Sequence, residues 1–179
     1  MTSARDALLD RIVDEAAANG LSDRSLRDLA AAIGSSHRLL LYHFGTRAGL
    51  VTAVVDRVEA SQRVAFAGLV EQIADPAELV RALWRQVSSP DLRPLVRLFF
   101  EAVAYRASGA GAPLTEPWLD EGELVTWRLG IAFDPVEVRL GIAVVRGLLV
   151  DVLATGDTAA ADASFERFLA MWGLHTSAQ

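Results

Sequence analysis

Serine hydroxyls, imidazoles, guanidinium groups and a phenol are crowded into the segment IGSSHRLLLYHFGTRAGL, residues 33–50. No Asp or Glu lies between Asp28 and Asp56, so this segment is a basic stretch on a chain whose formal net charge is −6. Groups of these types donate hydrogen bonds to phosphate oxygens and to base edges. The pattern therefore favours binding to nucleic acid.

Catalysis is the main competing interpretation of the same residues. The chain has no cysteine nucleophile, and it has no glycine-rich phosphate loop. His37 and His43 are six residues apart, which is a poor spacing for a metal site, and Ser36 and His37 are chain neighbours, which does not make a catalytic dyad. We therefore expect no enzymatic activity, no metal and no cofactor.

The chain also lacks the patterns of an exported or membrane protein. Its first residues, MTSARD, lead into an amphipathic pattern and not into a signal peptide. The longest apolar run, Leu140 to Leu153, is interrupted by Arg146 and Asp151 and is too short to span a bilayer. We expect a cytoplasmic protein without a membrane partner.

Apolar periodicity indicates helices almost everywhere, so the predicted fold class is all-α with about nine helices. Ser3 can cap a first helix that ends near Gly20, Ser25 with Asp28 resembles a capping box, and Ser36 can cap a third helix. A longer helix follows Gly45-Thr46 and extends towards residue 73. Later helices are predicted over 76–88, after a cap at Asp91, and over 117–131, 135–154 and 158–174, with a flexible loop at 109–113.

Two short helices joined through Gly34, LRDLAAAIGSSHRLLLYHF, have the pattern of a helix-turn-helix. In that motif the first helix braces the second, and the second enters the major groove of double-stranded DNA. Glycine permits the tight turn, and Ser36 can both cap the second helix and donate to a phosphate.

Residues 4–58 resemble the DNA-binding domain of the TetR family of transcriptional regulators, in the LRDLA helix, Gly34, Ser36, the His-Phe ending, a basic residue and Leu50. The stretch RGLLVDVLATGD, followed by FERFL, resembles the end of the eighth helix and the start of the ninth in that family. Residues 60–135 match only in helical character.

The resemblance implies a DNA-binding domain over 1–58 and a ligand-binding and dimerisation domain over 59–179. It further implies a homodimer formed through the last two helices and a palindromic DNA operator. A small-molecule effector, whose identity the sequence does not give, is expected to release a repressor from that operator by shifting a population of conformations through the fourth helix.

The site residues follow position by position from the same resemblance. Ser36, Tyr42, His43 and Arg47 match positions that contact the DNA backbone. His37, Arg38 and Leu39 match positions that read bases, and Arg27 on the bracing helix joins the DNA-binding set. The sequence departs from the family at three positions: Ser35 replaces a valine, Leu41 replaces a phosphate-contacting tyrosine, and Arg47 replaces a lysine.

Several of these residues have structural alternatives. Leu40 and Phe44 are expected to face the helical core, and Leu41 can join them. Arg38 can read a base, contact a phosphate or stay solvated, and His43 can simply cap the helix end. Because Leu41 replaces the tyrosine and residues 1–58 carry seven arginines and seven acids, a helical interaction module that has lost DNA binding is the alternative function.

Five residues are candidates for the polar part of a ligand pocket, because they lie in apolar helical surroundings: Glu101, Tyr105, Trp127, Arg146 and Asp151. A buried ion pair or a side chain that reaches to solvent is the competing interpretation. The acidic cluster that begins at Glu116 is expected to compensate a helix dipole and not to bind a metal.

Overall fold

The computed structural model describes residues 3–107, 115–130, 132 and 134–172, and in that part of the chain it contains nine α-helices and no β-strand. The predicted all-α fold class is confirmed. The helices are α1 Ala4–Asn19, α2 Leu26–Ala32, α3 His37–Phe44, α4 Arg47–Gln72, α5 Pro76–Val87, α6 Arg93–Ala107, α7 Glu116–Leu129, α8 Pro135–Thr155 and α9 Thr158–Met171.

The first two helices begin at capping boxes in which aspartate takes the usual place of glutamate. Ser3 Oγ accepts from the Asp6 N–H at 3.1 Å, and the Asp6 carboxylate accepts from the Ser3 N–H. Ser25 and Asp28 repeat this arrangement at the start of α2. These paired bonds satisfy donors that a helix N-terminus otherwise leaves open, so the predicted starts of both helices are confirmed.

The later boundaries follow the sequence with one exception. Asp75 caps α5 and Pro76 occupies its first position, as predicted. Helix α6 begins at Arg93, so the prediction of Asp91 as its cap is wrong, although Pro94 still lies in the first turn. The predicted loop at 109–113 lies outside the described residues. The last helix ends at Met171 with Trp172 as its C-cap, three residues before the predicted end near Leu174.

The contacts divide the chain into two compact units. The first comprises Met1–Gln62 and Pro94–Gly111, and the second comprises Arg63–Arg93 and Ala112–Gln179. Helix α6 therefore groups with the N-terminal helices. The functional division into 1–58 and 59–179 stays a prediction.

The core of the first unit is aliphatic. Ile12, Leu29, Leu40, Leu50 and Val54 are fully buried, and each comes from a stripe with helical spacing on one of the first four helices. Burial of one such side chain contributes about 1.5–3 kcal/mol. Helix α2 packs against both α1 and α3, so buried side chains hold one face of α3.

The buried core of the second unit combines aliphatic and aromatic side chains. Phe66, Val70, Leu79 and Val125 form one buried cluster. The Trp84 ring stacks on Phe165 with centroids 4.9 Å apart. Helix α8 packs against both α7 and α9. Among the described residues, none of the helices is sufficiently long and apolar to cross a membrane.

Candidate nucleic-acid interface

The turn between α2 and α3 depends on Gly34. Its φ of +61° lies in the left-handed region, which a side chain makes unfavourable. The Ser35 N–H donates to Ala30 O at 2.8 Å, and the Gly34 N–H donates to Ala31 O at 3.1 Å. These bonds close the turn that sets α3 relative to α2, as a helix-turn-helix requires.

Ser36 is the N-cap of α3, and its Oγ accepts from the Leu39 N–H at 3.1 Å. The predicted cap is confirmed. In this role the serine oxygen is an acceptor, so its O–H remains able to donate to another group.

The two sides of α3 differ sharply in burial. Leu40 and Phe44 are buried, as predicted. Arg38, Leu39 and Tyr42 are exposed, with Tyr42 at 80%. Leu41 is 39% exposed, so it does not join the core beside Leu40. One face of the helix is therefore held by the protein, and the other is open to a partner.

The two histidines of α3 are half-buried. The His43 ring lies 4.9 Å from the Tyr42 ring and 6.2 Å from the Phe44 ring, measured between centroids. The N–H of Gly45 donates to Leu41 O and closes the helix end. Within the described chain His43 makes no hydrogen bond to the end of α3, so its ring contacts are what position it.

Three further arginines belong to the two helices that precede α3. Arg27 is exposed on α2, and its contact with DNA stays a prediction. Arg5 of α1 lies over the Phe44 ring at 5.3 Å, and an Arg11 guanidinium nitrogen lies 3.7 Å from the position of a Cβ built on Gly34. Neither of these two α1 residues was predicted from the sequence. For Arg11 the signal is the spacing of residues 4, 7, 8 and 11, which share one face of α1.

Arg47 does not project from this surface. Its Nε donates to Arg24 O at 3.1 Å, and its Nη2 donates to Leu21 O at 2.9 Å and to Ser22 O at 2.6 Å. The guanidinium carbon also lies 4.7 Å from the centre of the Tyr105 ring. Arg47 therefore holds the connection between α1 and α2, and a phosphate contact from it stays a prediction.

The architecture has clear counterparts among solved structures. A Rhodococcus sp. RHA1 protein classed as a transcriptional regulator matches with a TM-score of 0.75 and 17% identity over 97% of both chains. SmeT, the repressor of the Stenotrophomonas maltophilia multidrug efflux pump SmeDEF, matches with 0.63 and 16% over 99% of this chain and 95% of its own. A TetR-family protein from Mesorhizobium loti MAFF303099 matches with 0.59 and 18% over 94% and 98%.

The chain has the TetR fold. No protein-family model and no curated protein sequence matches it. Identities of 16–18% establish shared architecture only, so the function has to be argued from the residues of this chain.

Within the TetR fold of this chain, two of the five pocket candidates lie on α6 and engage the N-terminal helices. Glu101 accepts from the Leu21 N–H at 3.0 Å and from the Ser22 hydroxyl at 3.4 Å, and it pairs with Arg97 at 3.7 Å. Tyr105 packs against Arg47. For Glu101 the contacts agree with the competing interpretation of an ion pair.

The other three candidates lie in the second unit, on α7 and α8. Trp127 is 82% exposed, so it does not line an enclosed cavity in the described chain. Arg146 is half-buried and donates to the Thr115 hydroxyl at 3.2 Å, whereas Asp151 is exposed. Two of the five candidates thus belong to the first unit and three to the second, and the ligand pocket stays a prediction.

The acidic cluster on α7 begins with a residue that interacts with the helix start. The pKa of Glu116 is lowered, first by a hydrogen bond from its own backbone N–H and then by Arg139. Such bonding is what compensation of a helix dipole predicts. No group of three potential metal-ligating side chains occurs among the described residues.

Proposed function

We propose that this protein is a sequence-specific DNA-binding transcriptional regulator, a repressor that a small molecule releases from its operator. The observation that carries the proposal is the difference in burial between the two faces of α3. Leu40 and Phe44 anchor one face, and Arg38, Leu39 and Tyr42 form an exposed face without an acid. A positioned, exposed helix of this composition fits the major groove of DNA.

The residues of α3 divide into base-reading and backbone-contacting groups. Arg38 can bond to guanine through two donors, Leu39 can contact a thymine methyl, and His37 lies beside them. Ser36, Tyr42 and His43 contact phosphates, together with Arg27 of α2. Because Tyr42 is so exposed, its phenol can supply the contact that the family tyrosine makes at the position of Leu41.

The proposed partner in the functional assembly is a second copy of the chain. An exposed apolar stripe runs along α8 with alternating spacings of four and three residues: Val136, Leu140, Ala143, Gly147 and Val150. This spacing is typical of a helix that packs against another helix. A two-fold dimer through α8 and α9 would present two α3 helices to half-sites about 34 Å apart on a palindromic operator.

The proposed effector is a small molecule whose binding changes the population of DNA-competent dimers. SmeT, which shares the fold, is the repressor of a multidrug efflux pump, and this supports a repressor here. Trp127, Arg146 and Asp151 stay candidates for contact with the effector. Glu101 and Tyr105 are better placed to connect α6 with the DNA-binding helices.

The first test is fluorescence anisotropy of the purified protein with DNA from upstream of its own gene, titrated over salt concentration. Operator-selective binding should weaken steeply as salt rises, because bound arginines displace counterions. The double substitution Arg38→Ala and Tyr42→Ala should abolish selectivity. Its control is Val64→Ala, a substitution at an exposed position on α4.

The alternative function, a helical interaction module that has lost DNA binding, predicts a different result. No selective binding would then appear, either to the upstream DNA or after selection from a random DNA library at low salt. That combination of results would overturn the proposed function.

A further inference from the structure

A groove of about 530 Å³ lies between α1 and α3, next to the exposed face of α3. Two basic side chains, Arg11 and His43, and two hydroxyls, Ser35 and Ser36, line it. The remaining lining residues are Ala, Leu and Gly, and no acid is among them. On a chain with a net charge of −6, such a groove is a local site suited to an anion.

Arg11 is the charged group of this groove. It is exposed, and it makes no hydrogen bond or ion pair with another described residue. Neighbouring arginines differ in this respect: Arg24 pairs with Glu15 at 2.7 Å and Arg57 pairs with Asp10 at 2.6 Å. The guanidinium of Arg11 thus keeps its donors available beside the turn at Gly34.

Ser35 supplies a second observation. Its Oγ is buried and has no hydrogen-bond partner among the described atoms. A buried polar group left in this state destabilises the protein that contains it. Ser35 is also among the residues that line the groove, so an acceptor bound there would satisfy this hydroxyl.

We propose that this groove binds a phosphate of the DNA backbone, with Arg11 and Ser35 as donors. The phosphate belongs to the strand that flanks the major groove entered by α3, so the contact would fix the distance of α1 from the duplex. This inference rests on the proposed function, since the phosphate is that of the operator DNA. It adds α1 to the elements that set the register of α3 on DNA.

The test uses the full-length protein and compares Arg11→Gln with Arg128→Gln. Arg128 is exposed on α7, so the control removes the same charge from a helix outside the first unit. For a dimer, Arg11→Gln removes two phosphate contacts, and the slope of log K against log salt should become shallower by about 2. The loss of affinity should be similar for operator and unrelated DNA, because a phosphate carries no sequence information.

Ser35→Ala gives an independent readout. Removing an unsatisfied hydroxyl should leave the thermal stability of the unbound protein unchanged or raise it. The same variant should bind operator DNA about 3- to 30-fold more weakly, because the hydrogen bond to a charged oxygen is lost. A merely structural serine would instead lose stability on substitution and keep its DNA affinity.

The outcomes separate this inference from the function on which it rests. Equal salt slopes for Arg11→Gln, Arg128→Gln and the wild type would overturn the groove as a phosphate site while operator binding stands. A wild type without selective DNA binding would overturn both. A shallower slope for Arg11→Gln alone, together with a stable and weakly binding Ser35→Ala, is the expected result.

Discussion

Glu101 of α6 accepts a hydrogen bond from the backbone N–H of Leu21 at 3.0 Å, 80 residues away in the sequence. Leu21 is only 2% exposed, so its N–H has little access to water. The carboxylate therefore supplies an acceptor to the connection between α1 and α2. Arg47 donates to the carbonyls of the same connection, so α4 and α6 hold it from two sides.

Replacing the carboxylate tests this attachment. Glu101→Ala should lower the free energy of unfolding by about 1–3 kcal/mol, because the Leu21 N–H loses its acceptor in a buried place. Glu101→Gln keeps an oxygen acceptor and should lose less. Urea unfolding of the three proteins measures the difference, and equal losses for Ala and Gln would show that the hydrogen bond does not stabilise the connection.

Arg47 should affect the free energy of unfolding more than it affects the salt dependence of DNA binding. Its Nε and Nη2 bind backbone carbonyls, so Arg47→Ala should lower the free energy of unfolding by about 1–3 kcal/mol. The salt dependence of DNA binding tests the predicted phosphate contact, and the wild-type slope is the expected result where Arg47 keeps its bonds to the carbonyls in the complex. Arg47→Lys should not restore stability, since an ammonium group cannot reproduce the planar fork of donors.

Anisotropy over a salt series, beside urea unfolding, checks this expectation. Arg38→Ala is the comparison, because that exposed residue is expected to change DNA binding without a loss of stability. A shallower slope for Arg47→Ala would mean that the side chain leaves the carbonyls and binds a phosphate in the complex.

The contrast between Arg47 and the helix caps shows what the sequence could predict. Capping by Ser3, Ser25 and Ser36 depends on residues at most three positions away, so local patterns were sufficient. The contacts of Arg47 with residue 105 and of Glu101 with residue 21 join distant parts of the chain. The family resemblance assigned Arg47 to the DNA backbone, and its apolar helical surroundings made Glu101 a ligand candidate, because nothing local in the sequence indicates such long-range packing.

At Gly141 on α8 even a methyl group is expected to clash with a neighbouring side chain. A Cβ built there would lie 2.7 Å from a ring carbon of Trp172, whose Nε1 donates to Glu137 at 2.6 Å. Gly141→Ala should therefore destabilise the protein by about 1–3 kcal/mol through overpacking. Thermal unfolding of the variant measures the loss.

Gly68→Ala on α4 is the matched control for that substitution. No described atom lies within 4 Å of a Cβ at Gly68, so alanine should stabilise the helix by about 0.5–1 kcal/mol. Opposite signs at the two glycines are expected. A stable Gly141→Ala would imply that the Trp172 ring moves aside at little cost.

The carboxyl group of Asp28 should titrate below its usual range. The hydrogen bond from the Ser25 side chain is the largest cause of its lowered pKa, followed by the bond from the Ser25 backbone. Because the folded pKa is the lower one, this capping box stabilises α2 above the pKa of the unfolded state. The contribution disappears as pH falls through the folded pKa.

An NMR titration of the side-chain carboxyl carbons measures this pKa directly. In Ser25→Ala the pKa of Asp28 should rise towards its ordinary value. Asp6, whose pKa is lowered first by the Ser3 side chain, is an internal reference that should not change. An unchanged Asp28 pKa in the variant would exclude the serine hydroxyl as the cause.

The exposed stripe on α8 should control the oligomeric state. Val150→Asp places a charge on a half-exposed apolar position, where association of two copies would bury it, and an unpaired buried charge is strongly unfavourable. Sedimentation velocity should show a dimer for the wild type and a monomer for the variant. Val64→Asp makes the same change at an exposed valine on α4 and should remain dimeric. Operator affinity should fall when dimerisation is lost, because one α3 helix alone cannot occupy both half-sites. A dimeric Val150→Asp protein would place the interface on another surface of the chain.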